Sequence, residues 1–220
     1  MKPFSILNLY SGLGGNRYKW DSLSNIQVTA VEINKDIANE YKKRFPNDKV
    51  IVADAHKFLL DLKLNDELEN FLFVWSSPPC PSHSKMNSFL IDRGIVRYPD
   101  MKLYEEILFL KHFFKGKYCV ENVIPYYDPL IAPKKRGRHL YWTNFNLPND
   151  LNERKNKNKL VETGSKPNEI FHEIDLSTYK GKQRKDKIAC NLVDYEAGRT
   201  ILETALGIFK DNNKEQIKLF

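Results

Sequence analysis

"FSILNLYSGLGG", Phe4 to Gly15, is an apolar run that ends on three glycines within four positions. The run has the length of a buried strand, and the glycines predict a tight turn after it. A short helix is expected next. "IQVTAVEI" (Ile26–Ile33) is rich in β-branched residues and reads as a second strand. "NKDIANEYKKRF" follows, with Ile37, Tyr41 and Phe45 four apart on one helical face, Asn34 placed as N-cap and Pro46 as the stop. "KVIVAD" is a third strand ending at Asp54, "AHKFLLDL" a helix, and "FLFVWSS" a fourth strand. "MKLYEEILFLKHFF" carries Leu103, Ile107, Leu110 and Phe114 on one face, and "KYCVENVIPYY" is a strand that runs into a loop at Pro125. Strands alternating with helices predict an open, mostly parallel α/β sheet, which binds ligands beyond the carboxyl ends of its strands.

The pattern breaks near Asn144. "NERKNKNK" and "KGKQRKDK" are polar and basic and read as loops or solvated surface, whereas "DYEAGRTILETALGI" is helical again. The expected organisation is a catalytic and cofactor-binding region over 1–148, a small basic insertion over 149–188, and a segment over 189–220 that packs back. The chain of 220 residues suits one domain, and 41% hydrophobic residues suffice for a core. No apolar run is long enough to span a membrane, and the N-terminal stretch lacks the features of a signal peptide, so an intracellular place is expected. Three widely spaced cysteines, Cys80, Cys119 and Cys190, argue against a disulfide framework and against a cysteine-rich zinc site. The net charge of +7 favours a polyanionic partner.

Glycines at a strand-to-helix turn let the backbone approach a ligand closely. Here GxGG is shorter than the full GxGxxG fingerprint, and alone it reads equally well as a simple turn. Glu32, twenty residues after Gly12, ends the second strand where an acid accepts from ribose hydroxyls. Asp54 either caps the next helix or accepts from the adenine amine. Together they describe an adenosyl pocket, without choosing between a dinucleotide and S-adenosylmethionine.

"SSPPCPSHS" (Ser76–Ser84) leaves the fourth strand on the ligand side of the sheet. Its prolines make it stiff and remove backbone donors. A nucleophilic thiol needs exposure, a fixed position and a positive field, and the same loop could simply hold an inert cysteine. A deaminase-like zinc site is disfavoured, because His83 stands where PCxxC needs its second cysteine and no HxE precedes it.

Ordered blocks along the chain resemble the DNA (cytosine-5) methyltransferase family. "LYSGLGG" looks like its first motif, "PPCPSHS" resembles its PPCQxFS nucleophile loop, and Glu121-Asn122-Val123 matches its ENV. "KKRGRHLYWTNF" is similar to its QxRxR motif through Lys134, Arg136 and Arg138, and "CNLVDYEAGRTILETAL" looks like its closing GNxV and helix. The resemblance implies a Rossmann-like S-adenosylmethionine-dependent methyltransferase fold with a very small inserted target-recognition segment. It implies a cofactor held by Tyr10, Ser11, Gly12, Leu13, Gly14, Gly15, Glu32, Ile33, Asp54, Ala55, Pro78, Asn191 and Val193. It also implies catalysis by Cys80 as nucleophile at C6, Glu121 at N3, and Arg138 with Arg136 at O2 and near the thiolate. Duplex DNA with an extruded cytosine is the implied substrate, RNA and free cytosine nucleotides being alternatives, as is a non-catalytic nucleic-acid-binding module.

The chain departs from the family at several places. Asn8 stands for Asp, Tyr10 for Phe, Pro81 for Gln, Lys134 for Gln and Cys190 for Gly. The stretch between Asn144 and Cys190 is short for a base-reading domain. Its Lys155, Lys157, Lys159, Lys180, Lys182, Arg184, Lys185 and Lys187 suit phosphate contacts, with specificity short, relaxed or supplied by a partner chain. His83 and His139 read as satisfied loop histidines, Cys119 as core and Cys190 as structural.

Overall fold

The computed structural model describes residues 3–23, 25–154 and 165–209. Lys155, Lys157 and Lys159 lie outside them. β1 (Phe4–Leu9) sits between two parallel neighbours, β2 (Ile26–Glu32) and β4 (Phe73–Ser76). β3 (Lys49–Val52) extends the sheet beyond β2, and β5 (Lys117–Val123) beyond β4, both in parallel. β7 (His139–Thr143) joins β5 antiparallel and β6 (Lys134–Arg136) forms the edge, giving the order β3-β2-β1-β4-β5-β7-β6. The expected mostly parallel α/β architecture is thus observed. The unforeseen part is the β6–β7 hairpin, whose three-residue edge strand turns at Gly137, with φ +51°, and carries almost no strand signal.

Both faces of the sheet are covered, which is why its strands read as continuous apolar runs. Leu7, Leu9 and Val74 face one core, with Leu59 and Leu62 of α2 (Ala55–Leu64) and Leu103, Ile107 and Leu110 of α4 (Lys102–Phe113). A short α3 (Met86–Ile91) precedes α4. Ile6, Phe73 and Trp75 face the opposite core, with Trp20 and with Ile201 and Leu202 of α7 (Tyr195–Ala205). Asn34 caps α1 (Lys35–Arg44) as predicted, its Oδ1 accepting from the Asp36 and Ile37 amides at 2.9 and 3.2 Å. No helix among the described residues is long and apolar enough to cross a membrane.

Two sequence expectations differ from the structure. The helix expected after the glycine turn is a run of turns ending in one 3-10 turn, Trp20–Ser22. Its side chains serve tertiary contacts instead: Asn16 donates to Asn8, and Trp20 donates to the Gly198 carbonyl at 3.1 Å. The second is the basic stretch "KGKQRKDK", which runs into α6 (Lys185–Cys190) because Ile188 and Ala189 supply a buried side. With α5 (Lys166–His172), this region is built onto the sheet domain: Leu176, Tyr179, Ile188 and Ala189 share one core with Leu13 and Ile37.

The glycine loop is tied down by a buried ion pair. Arg17 donates through Nε and Nη2 to both oxygens of Asp48 at 2.9 Å, and the Tyr41 hydroxyl donates to Asp48 at 2.7 Å. Both charged side chains are only 3% exposed. Asp48→Ala leaves the buried guanidinium only the exposed Asp21 carboxylate, 2.6 Å from Nη2, and is expected to cost on the order of 3 kcal/mol of unfolding free energy, read as a lower urea midpoint.

Candidate active site

The strands β1, β2, β4 and β5 end at one cavity of about 510 Å³. Tyr10, Ser11, Gly12, Leu13 and Gly15 line it from the glycine loop, Glu32 and Ile33 from β2, and Asp54 and Ala55 from the start of α2. Pro78, Cys80, Glu121, Asn191 and Val193 complete the expected residues found there. Gly14, Arg136 and Arg138 are not among the lining residues.

At the glycine-loop end, Glu32 organises the backbone. Its carboxylate accepts from the Gly12 amide at 3.0 Å and from the Asn34 amide at 2.8 Å. Burial pushes its pKa up against these backbone bonds. A carboxylate has about four acceptor sites, so two amides leave capacity for a ligand diol. Beside it Ile33 is 66% exposed, an apolar surface left at a strand end, suited to a flat ring. Ser11 Oγ is buried and unpartnered in the same loop. An adenosyl group therefore fits these residues. Asp54 caps α2 through the Lys57 amide at 3.0 Å and also lines the cavity. Gly14 acts from behind: at φ +72°, a Cβ there would lie 2.5 Å from the Phe45 ring. Gly15 permits a close approach of backbone to backbone, since a Cβ would sit 2.5 Å from the Val193 carbonyl.

Sequence reasoning missed Glu106. It is fully buried on α4 and accepts from the Tyr10 hydroxyl and from Ser76 Oγ at 2.6 Å, with His56 Nδ1 at 3.0 Å. The hydrogen bond to Glu106 raises the His56 pKa although burial opposes it. The network fixes Tyr10, which has φ +55°, at the cavity wall. Its sequence signal is an acid on the apolar Leu103–Ile107–Leu110 face.

At the other end stands the proline loop. Asn122 Nδ2 donates to the Pro78 carbonyl at 3.0 Å, and the His83 and Ser84 amides both return to the Cys80 carbonyl at 3.0 Å. His83 is 1% exposed, with Nδ1 2.6 Å from the Tyr127 hydroxyl. Asn87 Nδ2 donates to the Pro81 carbonyl at 2.8 Å. Cys80 is thereby presented half-buried beside the buried Glu121. Burial and then the Glu121 charge push the Cys80 thiol up, so it rests protonated.

The arginines depart from expectation. Arg136 donates to the Pro148 carbonyl at 2.5 Å, the Leu147 carbonyl at 3.2 Å and the Lys135 carbonyl at 2.8 Å. Lys134 likewise binds Thr143 Oγ1 at 2.7 Å and the Phe145 carbonyl at 2.5 Å. Both hold the turn after β7, and the donors of Arg136 are spent on backbone, so it is corrected from a cavity residue to a brace. Arg138 is exposed and follows Gly137 at the hairpin turn, next in sequence to His139, which does line the cavity. Neither arginine is among the groups that shift Cys80.

Residues 4–108, just under half of the chain, match the family model for C-5 cytosine-specific DNA methylase. Over this region the chain is similar to the C5-methyltransferase family. The methylase match includes the glycine loop, Glu32, Asp54 and Cys80, while Glu121 and the arginines lie beyond it. A methyltransferase of Entamoeba histolytica aligns over 96% of this chain and 100% of its own, with 12% identity and a TM-score of 0.51. It shows the methyltransferase fold alone. A Spodoptera frugiperda DNMT2 mutant aligns at 27% identity and a TM-score of 0.39, over 54% of this chain and 35% of that one. An S-adenosylmethionine-dependent methyltransferase from Agrobacterium tumefaciens aligns at 14% identity and a TM-score of 0.39, over 60% and 41%. The chain thus spans roughly a third to two fifths of those two relatives. No curated protein matches the sequence.

The proline loop carries a measurable electrostatic signature. In a Cys190→Ser background, iodoacetamide alkylation of Cys80 is expected to have its midpoint above the ordinary thiol value. Glu121→Gln removes the nearby charge and is expected to move that midpoint to lower pH.

Proposed function

We propose that the protein transfers a methyl group from S-adenosylmethionine to C5 of cytosine in DNA. The observation that carries the reading is the convergence of Cys80 and Glu121 on the cavity that Glu32, Ile33 and the glycine loop also line. When bound, the cofactor supplies an electrophilic methyl carbon. Cytosine C5 is a weak nucleophile. Cys80, after losing its proton to water, adds through sulfur to C6, and the ring gains an enamine-like C5 that can take the methyl group. The negative charge that this addition drives toward N3 is relieved by a proton delivered, or a hydrogen bond made, through Glu121. Loss of the C5 proton to water and expulsion of the Cys80 thiolate restore the aromatic ring. The target base must leave a duplex to reach this cavity, and the exposed Arg138, adjacent in sequence to His139 of the cavity wall, offers positive charge to its O2 or to a flanking phosphate.

The region after Asn144 supports short or relaxed sequence reading. What is described of it packs on Leu13 and Ile37, and Gln183, Ile188 and Cys190 wall the cavity. Site choice then comes from its basic side chains or from a partner chain.

The test offers methyl-labelled cofactor with duplex DNA, transfer RNA or free cytosine nucleotides. Label is expected on C5 of DNA cytosine and is abolished by Cys80→Ser. Duplexes containing 5-fluorocytosine, which cannot lose a C5 proton, are expected to trap a covalent adduct. Label only on RNA or nucleotides moves the substrate assignment, and cofactor binding with no transfer to any acceptor leaves a binding module.

A further inference from the structure

His139 has no part in the chemistry above, yet it faces the cavity beside Glu121. On the β5–β7 pair, Glu121 lies opposite Tyr141 and Val123 opposite His139, so Glu121 and His139 are diagonal neighbours. Nε2 of His139 stands 3.7 Å from Glu121 Oε1, and Nδ1 stands 4.0 Å from Glu153 Oε1. Glu153 is itself placed: Tyr141 donates to it at 3.4 Å, and its carboxylate lies over Gly137, where a Cβ would be 2.2 Å from Oε2. The imidazole therefore sits between two carboxylates, one belonging to the reacting centre and one behind it.

We propose that His139 is a positioning residue that supplies the proton Glu121 delivers to the substrate. The proposal rests on the reading that Glu121 serves N3. As the Cys80 sulfur bonds to C6, the Nε2–H bond of the His139 imidazolium breaks and a Glu121 O–H bond forms. That O–H bond breaks in turn as an N3–H bond forms, leaving Glu121 a carboxylate and His139 neutral. When Cys80 departs, the N3 proton returns by the same path. Glu153, 4.0 Å from Nδ1 and without a hydrogen bond to it, favours the imidazolium in the resting state through its charge. The charged groups facing the ring are Glu121 from β5, Glu153 from the segment after β7, and its neighbour Arg138, which opposes the cation. Burial also opposes it, but the two carboxylates outweigh both, and the His139 pKa lies above the ordinary histidine value.

The test is the pH profile of single-turnover methyl transfer to unmethylated duplex DNA, with NMR titration of His139 in the free protein. Wild-type transfer is expected to fall as pH rises through the raised His139 pKa. His139→Gln, which keeps a donor but cannot titrate, is expected to slow transfer by roughly a hundredfold and to lose that alkaline limb. Its cofactor Kd and DNA KM are expected to stay within about twofold. Glu153→Gln is expected to move both the limb and the NMR midpoint to lower pH. An unslowed His139→Gln, or a limb that ignores Glu153→Gln, overturns the proposal while wild-type transfer stands. Absence of transfer by the wild type sinks the underlying reading itself.

Discussion

β1 is held in parallel on both sides, by β2 and by β4, with both its faces buried. The chain must leave its carboxyl end in one direction to reach β2, while β4 and β5 build outward in the other. No crossover covers the gap between them, and that gap is the cavity. Every group discussed is placed by its distance from this point. The glycine loop is the exit of β1, Glu32 the exit of β2, the proline loop the exit of β4, and Glu121 lies near the exit of β5.

The site has two electrostatic halves. Around Glu32, backbone amides answer a buried carboxylate, an arrangement formed before any ligand arrives. Around Cys80 the nearest charge is negative, and the thiol is kept neutral. A thiol kept in its neutral form is protected from oxidation and alkylation. Forming its thiolate near neutral pH takes added positive charge beside it or neutralisation of Glu121.

Much of this was legible in the residues. The apolar runs gave the parallel strands because burial on both faces leaves nothing to alternate. Asn34 and Asp54 were readable as caps because capping is local chemistry. Long-range partners were not readable. Glu106 looks like one acid among many until Tyr10 and Ser76 arrive from other strands. Arg136 looked catalytic because its spacing matches a motif, but spacing cannot say that the Pro148 carbonyl folds back onto it. His139 was set aside for the same reason, since its distance to Glu121 depends on an antiparallel register that "KKRGRHLYW" barely announces. The helix misread after Gly15 failed because tertiary contacts of Arg17 and Trp20 overrode local preference.

The contact of Gly15 with Val193 joins a loop made at the start of the chain to a segment made near its end. Gly198 repeats the pattern, with no room for a Cβ against the Asn16 backbone. During synthesis the strands β1 to β5 can assemble while the ribosome is still adding residues, but the cavity wall cannot close until Val193 has emerged. A nascent or truncated chain would hold a sheet with an open pocket and an already mounted thiol. A closed cavity is therefore a late event in the life of each molecule, set by the order in which the polypeptide is made.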